Sequence, residues 1–352
     1  PKTRPAENGF PIEIIMPEQS SHSHSSKFRI QYKTQLNASQ YEAITATEGP
    51  LLVIAGAGSG KTRTLTYRVA RLVEAGVPPS AILLLTFTRK AASQMLERAT
   101  ELLDSRCGKV AGGTFHSFGN SILRKYAPHM GLNPGFAIMD RVDAEAAIGI
   151  LRQETDAGHK QRSLPRKHTL ANIFSRAVNK MTTIEDVVYD DYSHLALHLE
   201  AIVSIFQAYQ RHKGDHQLLD FDDLLVYLQQ LLKTHPEIRA RLSSSYRYIM
   251  VDEYQDTNKI QAEILYLLTD IHQNIMVVGD DSQSIYAFRG ANFRNIMAFP
   301  NMFPGTRIIT LEENYRSVQP ILSLTNVIID QATEKYSKTL FTQRSGGSTP
   351  VL

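Results

Sequence analysis

The chain has 352 residues, 42% of them hydrophobic, and a formal net charge of +3. That is enough apolar material for a sizeable core and roughly two domains, while the charge is too small to argue for a nucleic-acid partner on electrostatics alone. One cysteine, Cys107, excludes a disulfide framework or a cysteine-rich zinc site and fits a reducing compartment. No apolar run reaches the ~18 residues of a membrane span and no secretory signal is visible, so the expected location is cytoplasmic.

Residues 1–33 read as an irregular, flexible extension with a Ser/His stretch from Ser20 to Ser26. His22 and His24 have the chemistry for a metal, but a tail or linker explains them more simply. The first residue is Pro1, which points to trimming or excision from a longer protein. From about Leu36 the pattern becomes α/β. Leu51 to Ala55 reads as a buried strand, and Lys61 to Ala75 as a helix ended by Gly76 and Pro78-Pro79. Ile82 to Thr86 reads as a second buried strand and Arg89 to Leu103 as a second helix.

Between the first strand and the first helix stands AGAGSGKT, residues 55–62. Small residues let this backbone curl so that its N–H groups converge on an anion at a helix N-terminus. Ala55, Gly56, Ala57, Gly58, Ser59, Gly60, Lys61, Thr62 and Arg63 therefore form a candidate phosphate cradle. Lys61 is placed to neutralise the outer phosphates and Thr62 to set its hydroxyl on Mg2+. Ala55 stands where the usual pattern has Gly, a small side chain that the curl should still accommodate.

From about 119 to 215 the strand signals thin out, and Ala144 to Gln153, Leu170 to Lys180 and Leu195 to Arg211 read as helices. This predicts a helical subdomain inserted between two parts of a nucleotide lobe (34–118 and 216–305). Within it, Lys160, Arg162, Arg166, Lys167, Arg176 and Lys180 occur without an acidic residue over 157–184. They form either a phosphate-backbone contact patch or a solvated surface. Asp220, Asp222 and Asp223 read as a helix cap and acidic first turn rather than a metal site. His212 and His216 read as surface histidines.

Apolar runs at 249–252, 275–279 and 308–311 predict further buried strands, hence a mostly parallel sheet with its ligand at the strands' C-terminal ends. The first of these delivers VDEYQDT, residues 251–257. Downstream of a phosphate loop, Asp252 is the expected metal anchor and Glu253 the carboxylate that steers water.

The motif order resembles the UvrD/Rep/PcrA group of superfamily 1 DNA helicases. LNASQ (36–40), AGAGSGKT, LTFTRKAASQM (85–95), GTFHSF (113–118), LDFDDLL (219–225), VDEYQDT, VVGDDSQSIYAFRGA (277–291), LEENYRS (311–317) and KTLFT (338–342) fall in family order. The resemblance implies a RecA-like P-loop lobe with an inserted helical subdomain and, over 306–352, the start of a second RecA-like lobe. It implies ATP and Mg2+ as cofactors, with Gln40 reading the adenine edge and Tyr315 stacking on the base. Gln283 becomes the γ-phosphate sensor and Arg316 an arginine finger. Single-stranded DNA and duplex junctions are the implied partners. Phe87, Tyr286 and Phe288 would stack on bases, beside Arg289, while His116 could bond a phosphate or base. The family usually has Trp where this chain has Phe288.

The implied activity is ATP-driven 3′-to-5′ movement on single-stranded DNA with strand separation. No counterpart of the family's motifs V and VI is found, so the expectation is an N-terminal part of a longer helicase, itself weak in hydrolysis and unwinding. The rival readings are a helicase subunit of a RecB or AddA type helicase-nuclease, a DNA-binding module that has lost turnover, and a P-loop protein unrelated to DNA. The intact Lys61, Thr62, Asp252, Glu253, Gln283 and Arg316 argue against a module without turnover.

Overall fold

The computed structural model describes residues 28–156, 164–283, 294–348 and 350. His22, His24, Lys160, Arg162, Tyr286, Phe288 and Arg289 lie outside the described residues.

Two short helices, α1 (Tyr32–Gln35) and α2 (Ala38–Thr45), lead into strand β1 (Leu51–Ala55) and helix α3 (Lys61–Glu74). Then come β2 (Ile82–Leu85), α4 (Arg89–Leu102), β3 (Ala111–Gly113) and α5 (Phe115–Tyr126). The insert contains β4 (Ala137–Ile138), α6 (Arg141–Asp156), α7 (Lys167–Lys180), α8 (Ile184–Asp191) and α9 (Leu199–Asp215). The chain returns through β5 (Leu218–Leu219), α10 (Phe221–Thr234), α11 (Pro236–Ser245), β6 (Tyr248–Val251), α12 (Lys259–Leu268) and β7 (Ile275–Gly279). It closes with α13 (Arg294–Met302), β8 (Arg307–Leu311) and α14 (Gln319–Asp330).

Six strands pair in parallel in the order β3-β2-β6-β7-β1-β8. Side chains alternate across the sheet, and the two faces build separate cores. Leu52, Ile54, Leu83, Leu85, Ile249, Val251 and Val277 pack with residues of α5, α10, α12 and α13. Leu51, Val53, Ile82, Leu84, Met250, Met276 and Val278 pack under α2, α3 and α4. Burial on both faces explains why the strands read as unbroken apolar runs. Helix starts are marked by reciprocal capping at Thr114 with Ser117, Asp220 with Asp223, and Asn258 with Gln261. Among the described residues no helix is long and apolar enough to cross a membrane.

Two expected boundaries move. The helical insert has its own core, built from Met139, Ile148, Leu170, Ile173, Phe174, Ile202 and Tyr209 among others. That core starts near 139, because α5, cut by the expected boundary at 119, belongs to the main core through Phe118, Ile122 and Leu123. The boundary expected at 306 falls inside the first sheet. β8 pairs with β1 over its whole length, Leu51 opposite Arg307 through Ala55 opposite Leu311. Any second lobe therefore begins after Leu311. Beyond it, α14 buries only Leu322, while Ile321, Leu324, Val327 and Ile328 stand exposed.

The insert meets the lobe through buried polar groups. The Lys213 ammonium lies 2.8 Å from Asp220 Oδ2 and 2.7 Å from Asp223 Oδ2, with its side chain 5% exposed. Asp220 is the predicted cap of α10, and Lys213 also gives that acidic turn a counter-ion. Asn179 of α7 donates to Asp222 Oδ1 at 2.9 Å and accepts from Asn258 at the start of α12. The basic run is partly neutralised, since Arg176 and Lys180 both pair with Asp191.

Removing one partner from a buried ion cluster strands the others. Lys213→Met should therefore lower stability by about 3–5 kcal/mol in urea denaturation. A loss below about 1 kcal/mol would mean that Asp220 and Asp223 are solvated by other means.

Candidate functional site

The sheet register sets the site. Leu85 lies opposite Val251, Val251 opposite Val277, Ile54 opposite Gly279, and Ala55 opposite Leu311. The residues that follow these strands consequently share one rim: Thr86, Asp252, Gly56, Asp280 and Glu312.

The phosphate loop leaves β1 and curls back into α3. Gly58 and Gly60 take φ of +77° and +90°, values that L side chains rarely adopt. Both are also crowded. A Cβ on Gly58 would stand 2.7 Å from the Arg316 Cβ, and one on Gly60 would stand 2.6 Å from the Gln40 amide nitrogen. Asn314 braces the loop by donating to the Ala57 carbonyl, and the Tyr315 N–H donates to the Gly58 carbonyl at 2.9 Å. The expected ATP residues Gly56 through Thr62 thus form one turn, with Arg316 against it.

Lys61 reaches across to the second motif, its Nζ 2.8 Å from Glu253 Oε2. Gln255 donates to the same oxygen at 2.7 Å. Glu253 itself sits at φ +50°, an uncommon conformation for a residue with a side chain. Beside it, the Asp252 N–H donates to the Leu85 carbonyl at 2.9 Å, which fixes the end of β6. Asp252 Oδ1 is buried and has no hydrogen-bond partner among the described residues. Burial pushes the Asp252 carboxyl up to about 7, the Glu253 charge adds to the rise, and Lys61 opposes it. An orphaned carboxylate oxygen beside a phosphate loop fits a hard cation such as Mg2+, with Thr62 lining the same cleft.

Gln40 is buried, and its amide is already engaged. It donates to the Ser59 carbonyl at 3.1 Å and accepts the Asn37 N–H at 3.4 Å. In this arrangement it holds the phosphate loop, a task the sequence reading did not assign to it. Tyr315 leaves its ring 44% exposed while its hydroxyl is tied to Asn37 at 3.0 Å and Glu313 at 2.8 Å. Arg63 donates to the Gln35 carbonyl and lies over the Tyr67 ring, 4.8 Å from its centroid. Gln40 and Tyr315 thus contact the loop at Ser59 and Gly58, while Glu253 meets it at Lys61.

A cleft of about 540 Å³ brings together Thr62, Phe87, Asp252, Glu253, Gln255 and Gln283. The Gln283 amide donates to the Asp280 carboxylate. A neighbouring cavity of about 230 Å³ is lined by Phe87 and His116 together with Asp252 and Glu253. Phe87 is 44% exposed there. Burial lowers the His116 pKa. Its ring meets the half-exposed Phe221 ring edge-on at 6.1 Å.

Sequence reasoning missed three participants. Gln255 links Glu253 to the Asp280 N–H, accepting the latter at 3.0 Å. Asp256 lines the same cleft, with its carboxyl pushed up to about 6 by burial and then by Glu253. Both lie within VDEYQDT, so membership of that short motif was the available signal. Lys338 pairs with Asp280 and Asp281 from far along the chain; it opens the KTLFT stretch, whose place in the motif order was the available signal, but the spacing does not name its partners.

A parallel sheet with a phosphate loop after β1 and a paired Asp-Glu after β6 defines a P-loop nucleotide-binding lobe. The chain belongs to the UvrD/REP helicases, since the family model described as UvrD/REP helicase N-terminal domain matches residues 36–304. It is 39% identical over 313 residues to the ATP-dependent DNA helicase PcrA of Staphylococcus epidermidis strain RP62A, covering 89% of this chain and 42% of that protein. The PcrA of Staphylococcus aureus strain Mu50 is 38% identical over 314 residues, with the same coverage. The chain thus spans less than half the length of these curated relatives.

The raised Asp252 pKa makes a signed prediction. The folded state binds this proton more tightly than the unfolded chain, whose aspartate titrates near 3.8. Asp252 therefore costs the fold nothing below about pH 4 and progressively more as pH rises through about 7. Asp252→Asn should melt above the wild type at pH 8, with the gap closing toward pH 4, by differential scanning fluorimetry. A gap independent of pH would contradict a buried Asp252 carboxyl with its raised pKa.

Proposed function

We propose that this chain is the nucleotide-binding lobe of an ATP-driven motor that moves along single-stranded DNA in the 3′-to-5′ direction and separates strands. The observation that carries the proposal is the contact of Lys61 with Glu253, which closes the phosphate loop onto the Asp-Glu pair beside an orphaned Asp252 oxygen. The relatives' description as ATP-dependent DNA helicases supports ATP and DNA as ligands.

In this reading the loop N–H groups and Lys61 bind the phosphates, so Lys61 gives up Glu253 when nucleotide arrives. Thr62 and Asp252 would hold Mg2+, which supplies charge neutralisation to the terminal phosphates. Glu253, freed from Lys61 but still held by Gln255, orients the attacking water. Arg316 stabilises charge on the transferred phosphoryl group. The Tyr315 ring stacks on the base, and Gln40 keeps the Ser59 carbonyl turned away from the phosphates or yields its amide to the adenine edge. Phe87 supplies a stacking surface for a base, with His116 and the Phe221 ring continuing the same face. Because Phe87 shares a cleft with Gln283 and Glu253, changes at the nucleotide reach the DNA surface directly.

Two measurements test this reading. Fluorescent ATP with Mg2+ should bind the wild type, bind Lys61→Ala at least about tenfold more weakly, and bind Glu253→Gln well. Equal binding to Lys61→Ala would remove the phosphate role from the loop. By fluorescence anisotropy, Phe87→Ala should weaken oligothymidine binding by ~1–3 kcal/mol. Unchanged DNA affinity would make Phe87 a packing residue.

A further inference from the structure

The segment from Tyr336 to Phe341 lies across the site's rim and touches two of its parts at once. At one end the Lys338 ammonium is 2.5 Å from Asp280 Oδ1 and 2.5 Å from Asp281 Oδ1, with its side chain 1% exposed. The Tyr336 N–H adds a bond to Asp281 Oδ2 at 3.0 Å. At the other end Leu340 covers the phosphate loop, so that a Cβ on Gly56 would stand 2.6 Å from its Cδ2. The segment is itself anchored. Asn326 accepts the Leu340 N–H at 3.0 Å and donates to its carbonyl at 2.9 Å, and the Phe341 N–H donates to the Glu312 carbonyl at 3.1 Å.

The acidic turn has a task beyond its own stability. Asp280 holds the Gln283 amide, and Gln283 lines the cleft with Thr62 and Glu253. Without Lys338, two carboxylates would stand uncompensated beside the place for a terminal phosphate. Their repulsion would fall more heavily on a triphosphate than on a diphosphate.

We propose that Lys338 is a positioning residue for discrimination of the γ-phosphate. By neutralising Asp280 and Asp281 it holds the turn from which Gln283 reaches that phosphate, and Leu340 links this turn to the phosphate loop. The inference rests on the nucleotide reading above.

The test is calorimetric titration of the full chain with Mg2+ and either ADP or a non-hydrolysable ATP analogue. The wild type should prefer the triphosphate. Lys338→Met should reduce that preference by about tenfold, with ADP affinity little changed. Because this variant strands two carboxylates, Lys338→Met combined with Asp281→Asn provides a second protein, and circular dichroism reports which of them folds. With one carboxylate left, the double variant should show a smaller loss of preference in the same direction.

Equal weakening of both nucleotides, or a preference that survives in both variants, would overturn the proposal and leave nucleotide binding intact. So would a wild type that binds the two nucleotides equally, or loss of fold in both variants, which would return Lys338 to the framework. A wild type that binds neither nucleotide would instead sink the underlying functional reading.

Discussion

The structure depends on parallel pairing between strands far apart in sequence. β1 sits between β7 and β8, and β6 between β2 and β7. Parallel strands can be joined only by long crossovers, so every strand delivers its C-terminal end to the same edge. That one constraint brings the phosphate loop, the Asp-Glu pair and the Asp280 turn to a common rim without any direct sequence proximity. It also accounts for the helical insert. A crossover has no upper limit of length, and the one between β3 and β6 has grown into a body with a core of its own.

The charges on that rim form a chain of contacts rather than isolated pairs. Lys61 meets Glu253, Glu253 meets Gln255, Gln255 meets the Asp280 N–H, and Asp280 meets both Gln283 and Lys338. Each link is short and partly dry, which raises its electrostatic weight. A continuous path of contacts thus runs from Lys61 to Gln283 through Glu253, Gln255 and Asp280. A second polar junction, Asn258 to Asn179 to Asp222, starts immediately after the Asp-Glu motif, passes through Asn179 of the insert and ends in α10 of the lobe. The insert is thus tied to the helix that follows the Asp-Glu pair.

Much of the fold was legible in the sequence, and the reasons are local. The strands at Leu51, Ile82, Ile249 and Ile275 are buried on both faces, which leaves unbroken apolar runs. Helix starts were legible where a polar cap stands before an apolar period, as at Asp220. Long-range pairings were not legible. The placement of β8 in the first sheet follows from register with β1, and a run such as IITL does not state its partner. Within the site, the phosphate loop and Asp252-Glu253 were visible because their chemistry demands fixed spacing. The grip of Gln40 on Ser59 and that of Lys338 on Asp280 and Asp281 were not, because a buried amide or ammonium looks in sequence like any surface residue.

Glu253 carries a tension of a different kind. Its backbone lies at φ +50°, where glycine or asparagine would sit more comfortably, yet its carboxylate is the group that Lys61 and Gln255 hold. Backbone comfort and the Lys61 contact therefore ask for different residues at one position. A library of this chain screened only for expression or heat resistance should drift toward glycine or asparagine at 253, gaining solubility while shedding its chemistry. Survivors of such a screen would be well-folded proteins without the Lys61–Glu253 contact, and position 253 is where that divergence should first be read.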